Sequence, residues 1–516
     1  MSDLRRLPAG WVAVQLDDVV DVLDFEREPI NSSERNERIA LRAGSELFPY
    51  FGATGKVGWI DGYRSEGQRI LLGEDGAPFL DASKDKAYVA NGRFWVNNHA
   101  HVLQGAEGLV DNRYLCHQLN TVDYQPYVSG STRLKLTSAS MRRIPLVVAP
   151  AAEQTRIVAK LEELLSGLDA GVAELKAAQK KLAKYRQSLL KAAVEGALTA
   201  DWRAQRAHQQ GEVFETGAQL LERILRERRA RWEAKQVAKF EEQGKTPPKD
   251  WQDRYAEPVP PDTAGLPELP QGWVWASLDQ LLFDLRSGSA ETSGRVKTDY
   301  PVLKSSAVRQ AAIDFTALNY FQRQQCRSEN YLEVGDLLIT RLSGSVEYVG
   351  CAAVVNAVPA VGVQYPDRIF CGKTLLATRW LGDLLVCWFR SGYARSRIEA
   401  AAKSTAGHKR ISLSDLHPFP LPLPPMSEAK EVVLRAAESL KQVEDGEAAV
   451  ARAVRHATAQ RKNILKAAFS GQLVPQDPAD EPANRLLECI RTERAAKVSR
   501  AASKQPRSRK ATAEAA

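Results

Sequence analysis

Two long stretches of the sequence carry apolar residues at steps of three and four, the spacing of one face of an α-helix. The first follows Pro150 and has apolar residues at Ile157, Leu161, Leu164, Leu168, Val172, Leu175, Leu182, Tyr185 and Leu189. The second begins at Ser427 and has them at Val432, Ala436, Leu440, Val443, Val450, Val454, Ile464 and Leu465. The pattern predicts two helices of about 45 residues, each roughly 65 Å long, ended by Gly196 and Gly471.

A helix of this length with a single apolar stripe needs a partner to bury the stripe. We expect the two helices to pair antiparallel, because the chain returns through a globular segment between them. The alternative is that each helix packs on its own domain.

The chain also repeats itself, and the repeat includes both helices. LPAGWVAVQLDD (Leu7 to Asp18) matches LPQGWVWASLDQ (Leu269 to Gln280), and YRQSLLKAAVEGALT (Tyr185 to Thr199) matches QRKNILKAAFSGQLV (Gln460 to Val474). A third match pairs LLERILRERRA with LLECIRTERAA, which begin at Leu220 and Leu486. Residues 20–128 and 282–403 share no register. A constant frame that holds two different inserts indicates two different tasks of one kind.

Both divergent segments are rich in strand patterns. Tyr50 to Asp61 is punctuated by glycine between aromatic residues, and Phe94 to Gly105 alternates as a strand does. Val334 to Val355 predicts two strands joined by a turn at Leu342 to Ser345. The repeated strand–helix alternation of a doubly wound enzyme core is missing.

These patterns predict an α+β protein with a pseudo-two-fold internal repeat, in which two mixed, strand-rich domains are separated by an antiparallel coiled coil. Residues 244–270 hold seven prolines and predict an extended linker. The basic tail from Lys497 predicts disorder. The predicted boundaries are 1–149 (first domain), 150–198 (first long helix), 199–265 (short helix and linker), 266–425 (second domain), 426–473 (second long helix) and 474–516 (short helix and tail).

Composition narrows the class of protein. The chain has 516 residues, a net charge of +8 and 44% apolar residues, values that permit a polyanionic partner. No secretory signal and no membrane-length apolar stretch is expected. The six cysteines are scattered without metal or redox spacing, which indicates reduced thiols in a cytoplasmic protein.

The sequence offers little for catalysis. CGKT (Cys371 to Thr374) resembles the end of a phosphate loop, but Asp367 stands where that loop needs a glycine. His99 and His101 could share one face of a strand, and packed or DNA-facing histidines are favoured over a metal pair because no third ligand is near. We expect no catalytic residues and no metal site.

The loop before each long helix joins small residues to basic ones: SGSTRLKLTSASM from Ser129 and STAGHKRISLSDL from Ser404. Small residues allow a close approach, and Lys or Arg neutralises phosphates; a solvated basic turn is the alternative. Asn and Arg can read base edges. The candidate DNA-binding residues are Thr54, Lys56, Asn97, Asn98, Arg133, Lys135, Lys304, Arg309, Arg341, Ser343, Ser345, Tyr348, Arg368, His408, Lys409 and Arg410.

The repeated order of LPxGW, a divergent segment, GSTRLKLTSASMRRIPL and a long helix resembles the specificity subunits of type I restriction–modification enzymes. YFGATGKVGWID, GEDGA, NNHAHV, YPDR and TAGHKRISLSDL strengthen the resemblance, which covers Leu7 to about Ala496. PPMSEAKEVV departs from the PPLAEQ that is more usual at the start of the second helix.

The resemblance implies two target recognition domains that each read half of an asymmetric DNA site, with the paired helices as spacer. It implies two modification subunits and restriction subunits as partners. Those partners would carry the S-adenosylmethionine, ATP and Mg²⁺ chemistry, and this chain would bind no cofactor. The alternatives are a stand-alone methyltransferase or nuclease with built-in recognition domains, and a coiled-coil scaffold that does not bind DNA.

Overall fold

The computed structural model describes residues 7–40, 42, 44–207, 215–309, 311–322, 330–374, 379–405 and 407–503. The chain is an α+β protein that divides into two compact units. The first unit comprises the residues up to Lys176 and those from Val450 onward, and the second unit comprises Ala177–Ala449.

The elements of the first unit that precede its long helix are mostly short strands. The strands are β1 (Val12–Gln15), β2 (Val20–Val22), β3 (Phe48–Gly52), β4 (Gly55–Ile60), β5 (Ser65–Glu66), β6 (Arg69–Gly73), β7 (Ala87–Ala90), β8 (Arg93–Val96), β9 (Ala100–Gly105), β10 (Val128–Ser129), β11 (Lys135–Leu136) and β12 (Pro145–Val148). The helices are α1 (Leu16–Val19), α2 (Ser32–Ile39), α3 (Asn112–Leu119), α4 (Ser138–Arg142) and α5 (Ala151–Val194), and a 3₁₀ turn spans Asp24–Glu26.

Two four-stranded sheets form the centre of the first unit, in the orders β2-β9-β6-β7 and β4-β3-β8-β5. Side chains alternate between the faces of each strand. Ile70 and Leu72 therefore face the core shared with the helices, while Leu71 faces the layer between the sheets. On β8, Phe94 joins that middle layer and Trp95 lies on the far face. The layers place the loops at the sheet ends on the surface.

Two helices, α6 (Ala200–Ala207) and α7 (Gly217–Glu242), follow α5. The strands of the second unit are β13 (Val274–Ser277), β14 (Leu282–Ser287), β15 (Pro301–Leu303), β16 (Val308–Arg309), β17 (Ala312–Ile313), β18 (Leu318–Tyr320), β19 (Leu337–Thr340), β20 (Leu342–Ser343), β21 (Ala352–Val354), β22 (Ile369–Thr374), β23 (Lys403–Thr405), β24 (His408–Arg410) and β25 (Pro420–Leu423). The remaining helices are α8 (Leu278–Leu281), α9 (Arg379–Arg390), α10 (Gly392–Ala401), α11 (Leu413–Leu416), α12 (Met426–Ala468) and α13 (Ala483–Ser503).

The central sheet of the second unit has the order β14-β22-β19-β21 and is antiparallel throughout. Leu337 and Ile339 point to the core that contains α9, and Leu338 points to a second core with Tyr365 and Cys371. Each face of the sheet is thus buried. Small two- and three-stranded sheets surround it, including β20-β24-β23.

The long helices are confirmed at 44 residues for α5 and 43 residues for α12. They lie against each other in opposite directions within each unit. In the first unit Arg461 of α12 pairs with Asp169 of α5 at 2.7 Å. In the second unit Arg186 of α5 pairs with Glu447 of α12 at 2.8 Å. Gly196 and Gly471 follow the helices with φ of +72° and +71°, a conformation that favours glycine.

The matched sequence blocks make the same contacts in both units. Trp11 Nε1 donates to Glu153, and Trp273 Nε1 donates to Glu428, each at 2.9 Å. The carbonyl of Gly10 accepts from the Ala483 amide at the start of α13, and that of Gly272 accepts from Gly217 at the start of α7. In each unit the repeated LPxGW block therefore joins the start of one long helix to the helix that comes after the other long helix in the chain.

Several sequence-based expectations differ from the structure. Leu342 and Ser343 form strand β20 instead of a turn, because β24 pairs with them. Phe94 to Gly105 is two strands, β8 and β9, since the chain turns at Asn97 to His99. The sequence pattern places Tyr185 in the apolar stripe of the first helix, but Tyr185 is 55% exposed, because no residue of α5 between Ser166 and Ser188 is buried.

The segments that follow the long helices also differ from expectation. The predicted short helix near Leu220 is α7, which has 26 residues, and Trp251 of the proline-rich linker stacks on its Trp232. The predicted disordered tail begins inside α13, which continues to Ser503, and its remainder, 504–516, lies outside the described residues. None of the helices in the described ranges combines the length and apolar character needed to cross a membrane.

Candidate nucleic-acid interface

In the first unit the predicted basic loop is the hairpin β10–β11. Gly130 opens its turn with φ of +110°, and a Cβ there would lie 2.4 Å from the Arg133 carbonyl oxygen, so only glycine fits. Leu136 is fully buried, and Thr137 caps α4 by accepting from the Ser140 amide. The hairpin is thus anchored at its end while Arg133 and Lys135 remain exposed.

Both basic side chains of this hairpin are paired with carboxylates that directly follow β6. Arg133 lies 2.9 Å from Asp75, and Lys135 lies 3.0 Å from Glu74. The Leu136 amide donates to the Glu74 carbonyl at 2.7 Å. Burial alone would raise the pKa of Glu74, but hydrogen bonds from Arg27 and Lys135 outweigh it, so the pKa lies below its ordinary value.

The other candidates of the first unit adjoin the same hairpin. The Asn97 amide donates to the Phe51 carbonyl at the end of β3, and Asn97 Oδ1 accepts from the His99 amide. The His99 carbonyl accepts from the Glu74 amide at 2.8 Å. The exposed Thr54 and Lys56 lie in and beside the turn between β3 and β4. The structure therefore brings together Thr54, Lys56, Asn97, Asn98, Arg133 and Lys135, which we name the first basic surface.

In the second unit the predicted basic loop is the hairpin β23–β24. Its second strand pairs with β20, with Ser343 opposite Lys409 and Leu342 opposite Arg410. The Ile411 amide donates to the Arg341 carbonyl, and the Arg341 amide donates to the Arg368 carbonyl at 2.9 Å. We name the set Arg341, Ser343, Arg368, His408, Lys409 and Arg410 the second basic surface.

Four further candidates lie outside the second basic surface: Ser345 and Tyr348 follow β20, and Lys304 and Arg309 precede it in the chain. The guanidinium of Arg309 lies 4.2 Å from the centre of the Tyr348 ring, and the Tyr348 amide donates to the Ser345 carbonyl at 3.3 Å. Lys304 is exposed at the start of a 3₁₀ turn, and its backbone hydrogen bonds join it to Ala307 and Ala317. The Arg341 guanidinium donates to the Asp367 carbonyl and is partly buried, which is a structural contact.

Sequence reasoning missed the charged residues beneath the first basic surface. Asp24 and Arg27 lie at and just after the 3₁₀ turn, and Glu74 and Asp75 lie in the GEDGA motif. Burial would raise the pKa of Asp24, but a hydrogen bond from His101 and nearby positive charge lower it overall. The only signal in the sequence was the GEDGA motif, which does not show where Asp24 lies.

The CGKT motif and one buried cysteine can be located in the structure. Lys373 of the CGKT motif lies on β22 and binds Asp336 and Glu333, so it belongs to a sheet and not to a phosphate loop. Among the described residues no group of three or more possible ligands could hold a metal ion. Burial raises the pKa of the Cys387 thiol to about 11, which makes it a poor nucleophile.

Comparisons with known proteins agree on one family. Residues 8–177 match the family model of the type I restriction modification DNA specificity domain. The EcoKI specificity subunit of Escherichia coli K12 is 25% identical over 77% of this chain and 75% of its own length. The EcoDI specificity subunit of Escherichia coli is 21% identical over 97% of this chain and 99% of its own.

One solved structure supports the fold. It was determined for work on complex assembly and conformational transition of the type I R-M system, and it covers 91% of this chain and 100% of its own. The TM-score is 0.57 at 16% identity, so it shows a shared fold alone. With the family model and the nearly full-length relatives, the repeated frame and its two divergent inserts make this chain similar to type I restriction enzyme specificity subunits over nearly its whole length.

Proposed function

We propose that this chain selects the DNA site at which a type I restriction–modification complex methylates adenine and cleaves DNA. The observation that carries the proposal is the doubled frame: two units share their Trp–Glu contacts but hold unrelated inserts, and each insert exposes a basic hairpin. Two different inserts on the same frame are what a protein that reads two different half-sites would need.

Within this proposal each basic surface lies against DNA. The 16 candidate residues supply the two kinds of contact that recognition needs. Lys and Arg neutralise phosphates and fix the position of the protein, whereas Asn and Arg can also bind base edges. Arg341 is the candidate with the weakest support, because its guanidinium is occupied by the Asp367 carbonyl.

We further propose that α5 and α12 form the antiparallel spacer of a pseudo-two-fold scaffold. A helix of about 65 Å exceeds one duplex turn of roughly 34 Å, so two reading domains could share one face of the DNA. Such a scaffold offers equivalent docking sites to two modification subunits, with restriction subunits added. The partners supply S-adenosylmethionine, ATP and Mg²⁺ chemistry in the cytoplasm, and this chain supplies recognition without catalysis.

Methylation profiling of DNA from cells that carry this gene and its partner genes tests the function. We expect methylated adenines in one split, asymmetric sequence. Replacing Leu7–Ala149 by the corresponding segment of another family member should change one half of that sequence only. A change in both halves contradicts separate reading by the two units.

The spacer is tested by shortening. Removing about seven residues, two turns, from one long helix should change the tolerated gap between the half-sites or abolish assembly. An unchanged site with full methylation would show that the helices set no spacing. Tight binding of S-adenosylmethionine by the isolated chain would instead favour a stand-alone methyltransferase.

A further inference from the structure

His101 lies beneath the first basic surface and is 1% exposed. It is on β9, with one ring edge toward the 3₁₀ turn and the other toward the hairpin β10–β11. Nδ1 lies 2.8 Å from Asp24 Oδ2, and Nε2 lies 3.0 Å from the Leu136 carbonyl oxygen. The ring therefore spans the gap between a carboxylate and the strand that carries Lys135.

Both of these oxygens can only accept. A peptide carbonyl has no proton to give. Asp24 Oδ1 already accepts from the Val102 amide at 3.0 Å, and Arg27 lies 3.1 Å from Oδ2, so this carboxylate is held ionised by donors on both oxygens. Each ring nitrogen must then donate, and an imidazole that donates from both nitrogens is an imidazolium.

Charged groups surround the ring on each element packed against it. Asp24 and Arg27 lie on the side of the 3₁₀ turn, Glu74 lies 3.9 Å from Nδ1, and Lys135 of the hairpin pairs with Glu74. Asp75, next in the chain, joins Arg133 to His99 at 2.9 and 2.5 Å. The hairpin is thus attached to the unit by a chain of charges in which His101 is the buried member.

We propose that His101 is a positioning residue for DNA binding: its doubly protonated ring ties the Leu136 carbonyl to Asp24 and thereby fixes where Arg133 and Lys135 meet the DNA. This rests on the proposed function. When one proton leaves the ring, a nitrogen lone pair faces an acceptor oxygen and the tie is lost. Affinity for DNA through the first unit then falls as pH rises. Because both nitrogens are occupied, His101 offers no lone pair to a metal ion.

The first test reads the protons directly. Nitrogen-15 NMR of the full chain labelled in its histidines should show both His101 nitrogens protonated at pH 7, with the assignment taken from His101→Gln. A neutral ring, with one unprotonated nitrogen, would overturn the proposal. This test needs neither DNA nor partners, so it is independent of the proposed function.

The second test measures DNA affinity from pH 6 to 8.5, using the complex with its methyltransferase subunits and the duplex found by methylation profiling. We expect His101→Gln to bind about tenfold more weakly than wild type at pH 6 and to show a flatter pH profile. If His101→Gln fails to fold, Asp24→Asn, which preserves side-chain volume, replaces it, and we expect the same loss of affinity and the same flatter pH profile. His117→Gln, on α3 and outside this network, is the matched control and should follow wild type.

Two outcomes would overturn the positioning role. One is a His101→Gln profile that superimposes on wild type. The other is an equal loss of affinity at every pH, which would indicate that His101 acts through packing and that its protonation does not matter. If instead the wild-type complex shows no preference for its site over a scrambled duplex at any pH, the proposed function itself fails.

Discussion

The two basic hairpins occupy the same place in the repeat but differ in the side-chain contacts that hold them. In the first unit, β10–β11 is attached by backbone hydrogen bonds to residues 74–76 and also by charged side chains, with Arg133 on Asp75 and Lys135 on Glu74. In the second unit, β23–β24 is attached by strand pairing with β20. Among the ion pairs of the described residues none includes Lys409 or Arg410. A constant frame therefore fixes where a hairpin begins and leaves each insert to support it independently.

The frame itself also differs at one buried carboxylate. Glu428 accepts from Trp273 and Thr199 and pairs with Arg203. The equivalent Glu153 accepts from Trp11, and its buried Oε1 has no hydrogen bond of ordinary geometry among the described residues, although Gln476 and Arg156 lie near the carboxyl group. Burial raises the pKa of Glu153, an effect that the hydrogen bond from Trp11 only partly offsets. The same residue type is thus well satisfied in one unit and poorly satisfied in the other.

The largest difference is expected from removing these two charges. Glu428→Gln should cost about 3 kcal/mol of stability in the second unit, because an amide NH₂ would face a donor and Arg203 would lose its carboxylate. Glu153→Gln should leave the free energy of unfolding unchanged or raise it at neutral pH. Its raised pKa means that the wild-type glutamate contributes stability at low pH that is lost as pH rises. Calorimetry of both variants across pH measures these changes in stability. Equal losses of stability in the two variants would contradict the difference between the two carboxylates.

A smaller contrast is expected from reversing the hairpin charges. Lys409→Glu with Arg410→Glu should weaken binding to all DNA by roughly 10- to 100-fold and lower the salt dependence, with little change in unfolding temperature. Arg133→Glu with Lys135→Glu should also weaken binding to all DNA alike. This variant should in addition destabilise the first unit, because the two new glutamates would lie beside Glu74 and Asp75. Loss confined to the cognate duplex, or equal thermal shifts in the two variants, would be the contrary result.

The smallest expected effect is a loss of stability of the first hairpin at acidic pH. The pKa values of Asp24 and Glu74 are lowered in the folded protein, so their contribution is present above their ordinary values of 3.8 and 4.5 and is lost as pH falls below them. Hydrogen exchange of β10–β11 amides, corrected for the intrinsic rate, should therefore accelerate more than that of β23–β24 between pH 5 and pH 3. Matched acceleration in both hairpins would show that the charges do not hold the first one.

The sequence was informative wherever a property depends on neighbours along the chain. Helix periodicity predicted α5 and α12 to within a few residues, and the φ of Gly196 and Gly471 agreed with the predicted ends. The candidate residues Arg133 and Lys135 were found because small and basic residues adjoin in the sequence. Short strands such as β20 were missed, since two residues carry no period and the pairing partner lies far along the chain.

The sequence by itself determined the doubled frame, the long helices and the resemblance to type I restriction enzyme specificity subunits, because repeats and periodicity are written in consecutive residues. Only the tertiary structure decided how each hairpin is held. Asp24, Glu74, His101 and Leu136 come from four separate segments of the chain, and their hydrogen bonds depend on distances of a few ångströms that no local pattern encodes. The ionised groups meet because two sheets and a 3₁₀ turn bring them together, and their charge states follow from that meeting.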